Sequence, residues 1–273
     1  MKQIAFFAAV LSALVLALFS GCRGRGGADS PFVIEIGGST SVVPAMELLA
    51  AAFQEFSPGV KININGTGSS DGIRNAGLLY QFGMTSRELT PFELGSGLNE
   101  QLLAVDGIAV VVHHSNPVAS LSIEQIRDIY TGAITDWSEV SPATSGAIAV
   151  VSREDGSGTR GAFEELAGFP GRLRAGAIET PSTGAVRSNV SGNPNAIGYV
   201  SIASVDGSVK AVPVDGAEPT AANILAGSYR IARPFILIYN DLHPVSRQFL
   251  DWAITEGQTL IARSWVPINR GQQ

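Results

Sequence analysis

The stretch VSREDGSGTRGAFEE, residues 151–165, decides how the fold is interpreted. It continues a short apolar run, residues 147–151, that has the composition of a buried strand. Two glycines, Gly156 and Gly158, then allow a tight turn and a close approach of the backbone to another group. Helix-compatible sequence follows from Arg160, so the stretch predicts a strand, a polar loop and a helix in succession.

This central loop has the composition of an anion-binding site. Ser157 or Thr159 would lie at the N-terminus of the helix, where free backbone amides and the positive end of the helix dipole face outward. Arg153 adds a planar guanidinium that suits an oxyanion. A Gly-Ser-Gly-Thr cluster is also an ordinary turn, so the loop by itself leaves both interpretations open.

The same order of strand, polar loop and helix occurs twice earlier in the chain. Residues 32–36 are an alternating, β-branched segment that leads into GGSTS, residues 37–41, and then into a helical pattern over residues 45–56. Residues 60–65 predict a second strand, which leads into GTGSSDG, residues 66–72. Three occurrences of this order predict an α/β fold with largely parallel sheets, in which ligands bind at the carboxyl ends of the strands.

The later part of the chain continues this alternation. Residues 108–113 and 235–239 are apolar runs that predict buried strands. Residues 168–185 form a glycine- and proline-rich connection, and residues 246–263 predict one amphipathic final helix.

Composition excludes several classes of function. The 273-residue chain has a formal net charge of -6, so it offers no basic surface for nucleic acid, and we expect none as a partner. With 3 histidines and 1 cysteine there is no cluster with metal-ligand spacing, and no P-loop pattern occurs, so we expect no metal and no cofactor. The pattern G-x-S-x-G is absent around Ser157, so we expect no enzyme, with a serine hydrolase as the remote alternative.

Residues 1–21 predict an export signal, because Lys2 precedes an almost wholly apolar segment that is too short to favour a spanning helix. Cys22 follows small residues and resembles the acylated cysteine of bacterial lipoproteins, which would anchor the chain to a membrane. A cleaved signal peptide, or a spanning anchor, with an incidental cysteine is the alternative. Residues 22–30 then predict a flexible tether.

Six motifs in order resemble the phosphate-binding lipoproteins of high-affinity phosphate ABC importers, which are periplasmic-type solute-binding proteins. They are GGSTSVVP at Gly37, NGTGSSDGIRNA at Asn65, GMTSREL at Gly83, SREDGSGTRGAF at Ser152, AIGYVSIASV at Ala196 and RPFILIY at Arg233. The resemblance spans residues 34–268 and implies two α/β lobes that are joined by two crossing hinge strands, with a ligand cleft between the lobes.

The resemblance also implies lobe boundaries. Lobe I would comprise residues 31–112 and 233–273, and lobe II residues 113–232. The crossing strands would be residues 108–113 and 235–239.

The resemblance further implies a set of anion ligands. The family's ligand positions fall on Thr40, Ser41 (through its main chain), Ser69, Arg153, Ser157, Gly158 and Thr159. Asp155 matches an acidic residue that orients the arginine. Some members place an aspartate at the position of Ser86, where it accepts the phosphate proton. Here Ser86 and Arg87 are assigned to the site instead, and the proton acceptor stays open, with Asp71 as a candidate.

The function that the resemblance implies is phosphate uptake. Inorganic phosphate would be the ligand and the permease of an ABC importer the partner. The chain would be held at the outer face of the bacterial cytoplasmic membrane or lie in the periplasm. Another oxyanion, such as sulfate or molybdate, or a phosphate scavenger or sensor without transport, is the alternative. We expect a monomer.

Overall fold

The computed structural model describes residues 30–268. The predicted export signal at residues 1–21 and the predicted acylation of Cys22 lie outside these residues, as does the predicted tether up to residue 29. Between residues 30 and 268, no helix combines the length and the apolar character that a membrane crossing requires.

Strands and helices alternate along most of the described chain. The strands are β1 (Phe32–Gly38), β2 (Val60–Gly66), β3 (Phe82–Thr85), β4 (Asn99–His113), β5 (Ala149–Arg153), β6 (Ile178–Thr180), β7 (Ala196–Ser201), β8 (Val209–Val212), β9 (Ala232–Tyr239) and β10 (Val266–Pro267). The α-helices are α1 (Val43–Phe56), α2 (Ser69–Asn75), α3 (Pro91–Leu94), α4 (Ile123–Thr131), α5 (Gly158–Leu166), α6 (Thr183–Ser191), α7 (Ala221–Leu225), α8 (Pro244–Ile254) and α9 (Gln258–Ile261). Short 3-10 helices lie at Trp137–Glu139 and Ile202–Ser204.

The strands form one continuous mixed sheet. Its order is β2-β1-β3-β9-β4-β7-β5-β6, and β8 and β10 also pair with β4. The pairs β1–β2, β1–β3, β5–β6 and β5–β7 are parallel, whereas every pairing of β4 and β9 is antiparallel. The predicted α/β fold is confirmed, but the sheet is not largely parallel, because β4 and β9 run antiparallel between two parallel groups.

Strand β4 joins these two groups. Its first part pairs with β9 as far as Gly107, and from Ile108 onward it pairs with β7 and β8. The segments expected to cross between the groups, residues 108–113 and 235–239, therefore each lie wholly on one side of this change of partner.

A separate hydrophobic core lies on each side of the change of partner. In the first core, α1 and α8 pack on β1, β3 and β9, with Phe53 and Phe249 edge to face at 5.2 Å between ring centroids. In the second, α4 and α5 pack on β4, β5 and β7, with Phe163 stacked on Tyr199 at 4.1 Å and edge to face with Tyr130 at 5.0 Å. Each such aromatic pair adds about 0.5–1.5 kcal/mol beyond its buried area.

Two segments differ from their prediction. The final helix expected over residues 246–263 is two helices, because Thr255 leaves the helical conformation with ψ at -93°. The amphipathic pattern runs through this break, since α8 and α9 bury residues in the same core. The connection expected over residues 168–185 contains β6 and the start of α6.

Candidate functional site

The first polar loop connects β1 to α1. Gly38 ends the strand with φ at +135°, and a Cβ there would lie 2.2 Å from the carbonyl oxygen of Met84, so only glycine fits. This close packing sets the loop against β3. The amide of Ser39 donates to the Met84 carbonyl at 2.9 Å, and its hydroxyl donates to Oγ of Ser86 at 2.8 Å.

The second polar loop connects β2 to α2. Gly68 precedes the helix with φ at +96°, and Ser69 is the first helical residue. Oγ of Ser69 accepts a hydrogen bond from the amide of Ser86 at 3.2 Å and lies 3.4 Å from its hydroxyl. The amide of Ser70 donates to the carbonyl of Gly156 at 3.1 Å, which ties this loop to the central one.

The central loop connects β5 to α5. Ser157 caps the helix, because its hydroxyl accepts a hydrogen bond from the amide of Arg160 at 3.3 Å. At Gly158 a Cβ would lie 2.3 Å from Oγ of Ser69 and 3.0 Å from Oγ of Ser86. The backbone at the N-terminus of α5 therefore lies directly against hydroxyl groups from the other of the two strand groups. We call the place where these two groups meet, at the change of partner between Gly107 and Ile108 of β4, the junction.

Hydroxyl groups from the two sides of the junction also contact each other. Oγ of Ser41 lies 2.7 Å from Oγ1 of Thr159 and 3.3 Å from Oγ1 of Thr183. Oγ1 of Thr40 lies 3.3 Å from Oγ1 of Thr183. We refer to the side chains joined in this way, together with those of the second loop, as the hydroxyl cluster: Ser39, Thr40, Ser41, Ser69, Ser86, Thr159 and Thr183.

Arg153, the last residue of β5, is buried with 1% of its surface exposed. Its Nε and Nη2 donate to the carboxylate of Glu154 at 2.9 and 2.8 Å. The same two nitrogens reach the carbonyls of Thr180 at 3.3 Å and Pro181 at 3.4 Å. The guanidinium therefore joins the central loop to the loop between β6 and α6.

The structure corrects the role expected for Asp155. Its carboxylate pairs with Arg160 at 2.8 Å, and its side chain is 91% exposed. Glu154, one residue closer to the strand, holds the guanidinium of Arg153 instead. The reason is local: Glu154 immediately follows the end of the strand and reaches back to its neighbour, whereas Asp155 in the turn faces solvent.

The structure separates the two residues assigned after β3. Ser86 lies in the hydroxyl cluster and is fully buried. The guanidinium of Arg87 instead forms two hydrogen bonds with the carboxylate of Glu93, both at 2.8 Å, and one with the carbonyl of Glu88. This pairing lowers the pKa of Glu93 to about 2. The prediction that Arg87 is an anion ligand gains no support from this geometry.

Within residues 30–268, neither Asp71 nor any of the three histidines forms a hydrogen bond with the cluster. Asp71, the candidate proton acceptor, accepts a hydrogen bond from the hydroxyl of Tyr80 at 3.2 Å. His113 lies against His114, and His243 caps α8. The serine hydrolase alternative therefore has no histidine base at this site within residues 30–268. In the same residues, no group of three or more His, Cys, Asp and Glu is placed to hold a metal ion.

A buried ion pair behind the cluster was not predicted from the sequence. Arg233 on β9 donates to Oδ2 of Asp106 on β4 at 3.1 and 3.3 Å, and Ser201 on β7 donates to Oδ1 at 2.7 Å. Nη1 of Arg233 lies 3.5 Å from the carbonyl of Ser86. Burial raises the pKa of Asp106 to about 6, although Arg233 opposes this shift. The sequence does carry a signal for this pair, because Asp106 and Arg233 are each a single charged residue beside an apolar run of their strand.

Thr183 was also missed. It begins α6 and is 5% exposed, with Ser182 as the capping residue before it. The segment repeats the order of strand, polar loop and helix, but its strand is only Ile178–Thr180 and has no apolar run. The two polar residues in the three-residue strand concealed the pattern.

Comparison with known proteins gives a consistent result. The chain matches the PBP superfamily domain over residues 25–256. It is similar to a solved structure from Clostridium perfringens, described as a phosphate ABC transporter substrate-binding protein with bound phosphate, at 44% identity and a TM-score of 0.84, covering 87% of this chain and 100% of that one. An ABC-type phosphate transport receptor from Vibrio cholerae is 35% identical with a TM-score of 0.70, covering 86% of this chain and 100% of that one.

Curated relatives show the same likeness over different lengths. Phosphate-binding protein PstS 2 from Streptococcus agalactiae is 35% identical over 145 residues, which cover 48% of this chain and 50% of the relative. The chain thus spans about half the length of that relative. Phosphate-binding protein PstS from Borreliella burgdorferi is 24% identical over 276 residues, covering 96% of each chain.

Proposed function

The chain belongs to the phosphate ABC transporter substrate-binding protein family, and from this premise we propose that it binds inorganic phosphate at the hydroxyl cluster and delivers it to the permease of an ABC importer. The observation that carries the proposal is the convergence of the three predicted loops on one buried site, where Thr159 meets Ser41 at 2.7 Å. The family binds and transfers a substrate without a reaction, and we propose the same for this chain.

The proposed ligand set follows from what a buried oxyanion requires. Desolvation of a phosphate dianion costs a large free energy unless its oxygens accept hydrogen bonds. Each hydroxyl of the cluster can donate one hydrogen, and the amides in the first turn of α5 have no acceptor within their own helix. The proposed ligands are Thr40, Ser41 through its amide, Ser69, Ser86, Arg153, Ser157, Gly158 and Thr159. Because most of these donors are neutral, an acidic protein can bind the anion.

We propose that the two sides of the junction are two lobes that close on the ligand. Donors come from both sides, so the anion makes all of its contacts only in a closed state and favours that state. Ile108, Val110 and Val112 pack in the second hydrophobic core, and Ala109 and Val111 pack in a further cluster with α6, so the boundary of lobe I is drawn at Gly107 rather than at residue 112. The hinge then lies where β4 changes its partner, beside Asp106 and Arg233.

Selectivity for phosphate over sulfate is a separate part of the proposal. Phosphate keeps a proton near neutral pH that sulfate lacks, so a selective site needs an acceptor for that proton. The hydroxyl oxygen of Ser86 already accepts from Ser39 and has a second lone pair. It therefore offers an acceptor at the position where some relatives carry an aspartate. Sulfate and molybdate remain the alternative ligands.

The proposed location follows from the N-terminal sequence and the family. Members of the family act outside the cytoplasm. We propose that acylation at Cys22 holds this chain, as a monomer, at the outer face of the cytoplasmic membrane, close to its permease.

Calorimetry on the chain from Arg23 onward tests the ligand. Phosphate at pH 7 is expected to bind with a Kd of about 1 μM or lower, equivalent to about -8 kcal/mol or stronger. Sulfate under the same conditions is expected to bind at least about 100-fold more weakly, because it carries no proton and would leave the buried acceptor at Ser86 facing an unprotonated oxygen without a hydrogen-bond partner. Equal affinities for the two anions would refute the phosphate assignment, and binding of neither would refute the proposed function.

A further inference from the structure

The loop between β6 and α6, residues 181–182, and Thr183 at the start of α6 form a fourth wall of the site. The loop follows β6, which pairs in parallel with β5 and so ends next to Arg153. The guanidinium of Arg153 holds this loop through the carbonyls of Thr180 and Pro181. The hydroxyl of Thr180 also donates to the carbonyl of Ser152 at 2.9 Å. These bonds fix the position from which Thr183 reaches across the cleft.

All polar contacts that the structure gives Thr183 across the cleft go to the loop between β1 and α1. Its amide donates to Oγ1 of Thr40 at 3.3 Å. Its hydroxyl lies 3.3 Å from Oγ1 of Thr40 and 3.3 Å from Oγ of Ser41. Thr183 therefore contacts two residues of the opposite lobe with two different groups.

The direction of one of these bonds is fixed. A backbone amide can only donate, so the oxygen of Thr40 must accept from Thr183, and the hydroxyl hydrogen of Thr40 must point elsewhere. The contacts among Thr40, Ser41, Thr159 and Thr183 require at most three hydroxyl hydrogens. At least one of the four hydrogens therefore stays available for a ligand while the loops remain connected.

We propose that Thr183 is a latch: it holds the two lobes closed over the bound anion by hydrogen bonds to Thr40 and Ser41, without itself contacting the ligand. The side chain of Ser41 is its counterpart on lobe I, while only the main chain of Ser41 serves the ligand. The proposal rests on the proposed function. It assigns Thr183 control of how long the ligand stays bound, because a cleft must open before the anion can leave.

Three substitutions distinguish the role of the Thr183 hydroxyl from that of its backbone amide. Thr183→Val removes the hydroxyl at nearly constant volume, and Thr183→Ser keeps it. Thr183→Pro removes both the hydroxyl and the amide hydrogen, and proline is accepted at the first position of a helix. Ser182 has φ at -154° and ψ at 160°, an extended conformation that the residue before proline adopts. Thr259→Val, on the exposed surface of α9, is the matched control for the change from Thr to Val.

The readout is the release of radiolabelled phosphate into excess unlabelled phosphate, together with the association rate and the thermal unfolding midpoint. Thr183→Val is expected to release phosphate about 3- to 10-fold faster than wild type, as the loss of one weak hydrogen bond predicts. Thr183→Pro should release it faster still, whereas Thr183→Ser and Thr259→Val should behave as wild type. The association rate should change by less than about twofold, because affinity changes within one site appear mainly in dissociation.

If Thr183→Val releases phosphate at the wild-type rate, Thr183 is not a latch. The same follows if this variant binds phosphate more weakly only because its association rate is lower. If the wild-type chain does not bind phosphate at all, the proposed function fails, and X-ray scattering of the ligand-free proteins then decides the latch separately. A larger radius of gyration for Thr183→Val than for wild type supports it, and equal radii overturn it.

Discussion

Gly158→Ala is expected to prevent closure of the site while leaving its own lobe folded. The added methyl would lie 2.3 Å from Oγ and 2.9 Å from Cβ of Ser69, whereas ordinary contacts of a Cβ begin at 3.4 Å. A rotation of the serine hydroxyl relieves the first contact but not the second. The two loops must therefore move apart by about 0.5 to 1 Å, which stretches the bond between Ser41 and Thr159 to the limit of hydrogen bonding or past it.

The magnitude follows from the hydrogen bonds that this movement breaks. Hydrogen bonds to a charged group are worth about 1.5–3 kcal/mol each, so the loss of two predicts about 3–6 kcal/mol, a rise in the Kd for phosphate of roughly 100- to 10,000-fold. Calorimetry on the two proteins measures this difference. Alanine in the first turn of α5 is at least as favourable for the helix as glycine, so the thermal unfolding midpoint should not fall.

Gly161→Ala is the matched control, because it lies on the same helix. A Cβ at Gly161 would lie 3.7 Å from Cδ of Arg87, an ordinary van der Waals contact. This variant should bind phosphate within about threefold of wild type, since no loop has to move. If Gly158→Ala also bound phosphate like wild type, the ligand would lie elsewhere and the convergence of the loops would not be its site.

Three further changes test other parts of the site. Arg153→Ala is expected to raise the Kd for phosphate by at least about 100-fold, because it removes a charged donor and releases the loop at Pro181; affinity close to wild type in a folded variant would exclude Arg153 as a ligand. Cys22→Ser should move the protein from the membrane fraction to the soluble fraction, as blotting of fractionated cells would detect, and continued membrane association would argue against acylation. Asp106→Asn should lower the free energy of unfolding by about 1–3 kcal/mol, because its NH2 group would face a buried donor of Ser201 or Arg233 that the carboxylate accepts from. Since the pKa of Asp106 is raised to about 6 in the folded state, wild type gains stability through this group as pH falls from 7 to 5, whereas the variant does not. The difference in unfolding free energy between wild type and Asp106→Asn, measured by urea denaturation, should therefore be about 1 kcal/mol larger at pH 5 than at pH 7. A smaller difference at pH 5 would contradict the raised pKa of Asp106.

The strands, helices and polar loops could be predicted from the local pattern of apolar and polar residues. The alternation of strands and helices and the loops around Thr40, Ser69 and Thr159 could be located, because each loop lies between a clear apolar strand and a helix signal. The loops at Thr40 and Ser69 meet because the parallel strands β1 and β2 end at the same edge, and the contact of Ser41 with Thr159 joins them to the loop after β5 in the other parallel group.

The parts that could not be predicted depend on contacts between distant segments. Whether Glu154 or Asp155 meets Arg153 depends on the conformation of the turn, for which neighbouring acidic residues give no signal. Arg87 lies next to a cluster residue, but its partner Glu93 competes for its guanidinium. Thr183 reaches Thr40 across 143 positions of sequence, and only the pairing of β6 with β5 brings the two together.

The position of β9 between β3 and β4 has a consequence for the order in which the molecule can assemble. The first core needs Phe235, Leu237 and Phe249, which come from the last fifth of the chain, whereas the second core is almost complete before those residues are synthesised. A growing polypeptide that has reached residue 231 lacks the contribution of β9 and α8 to the first core and leaves the edge of β3 unpaired. The first core therefore stays incomplete until translation is nearly over.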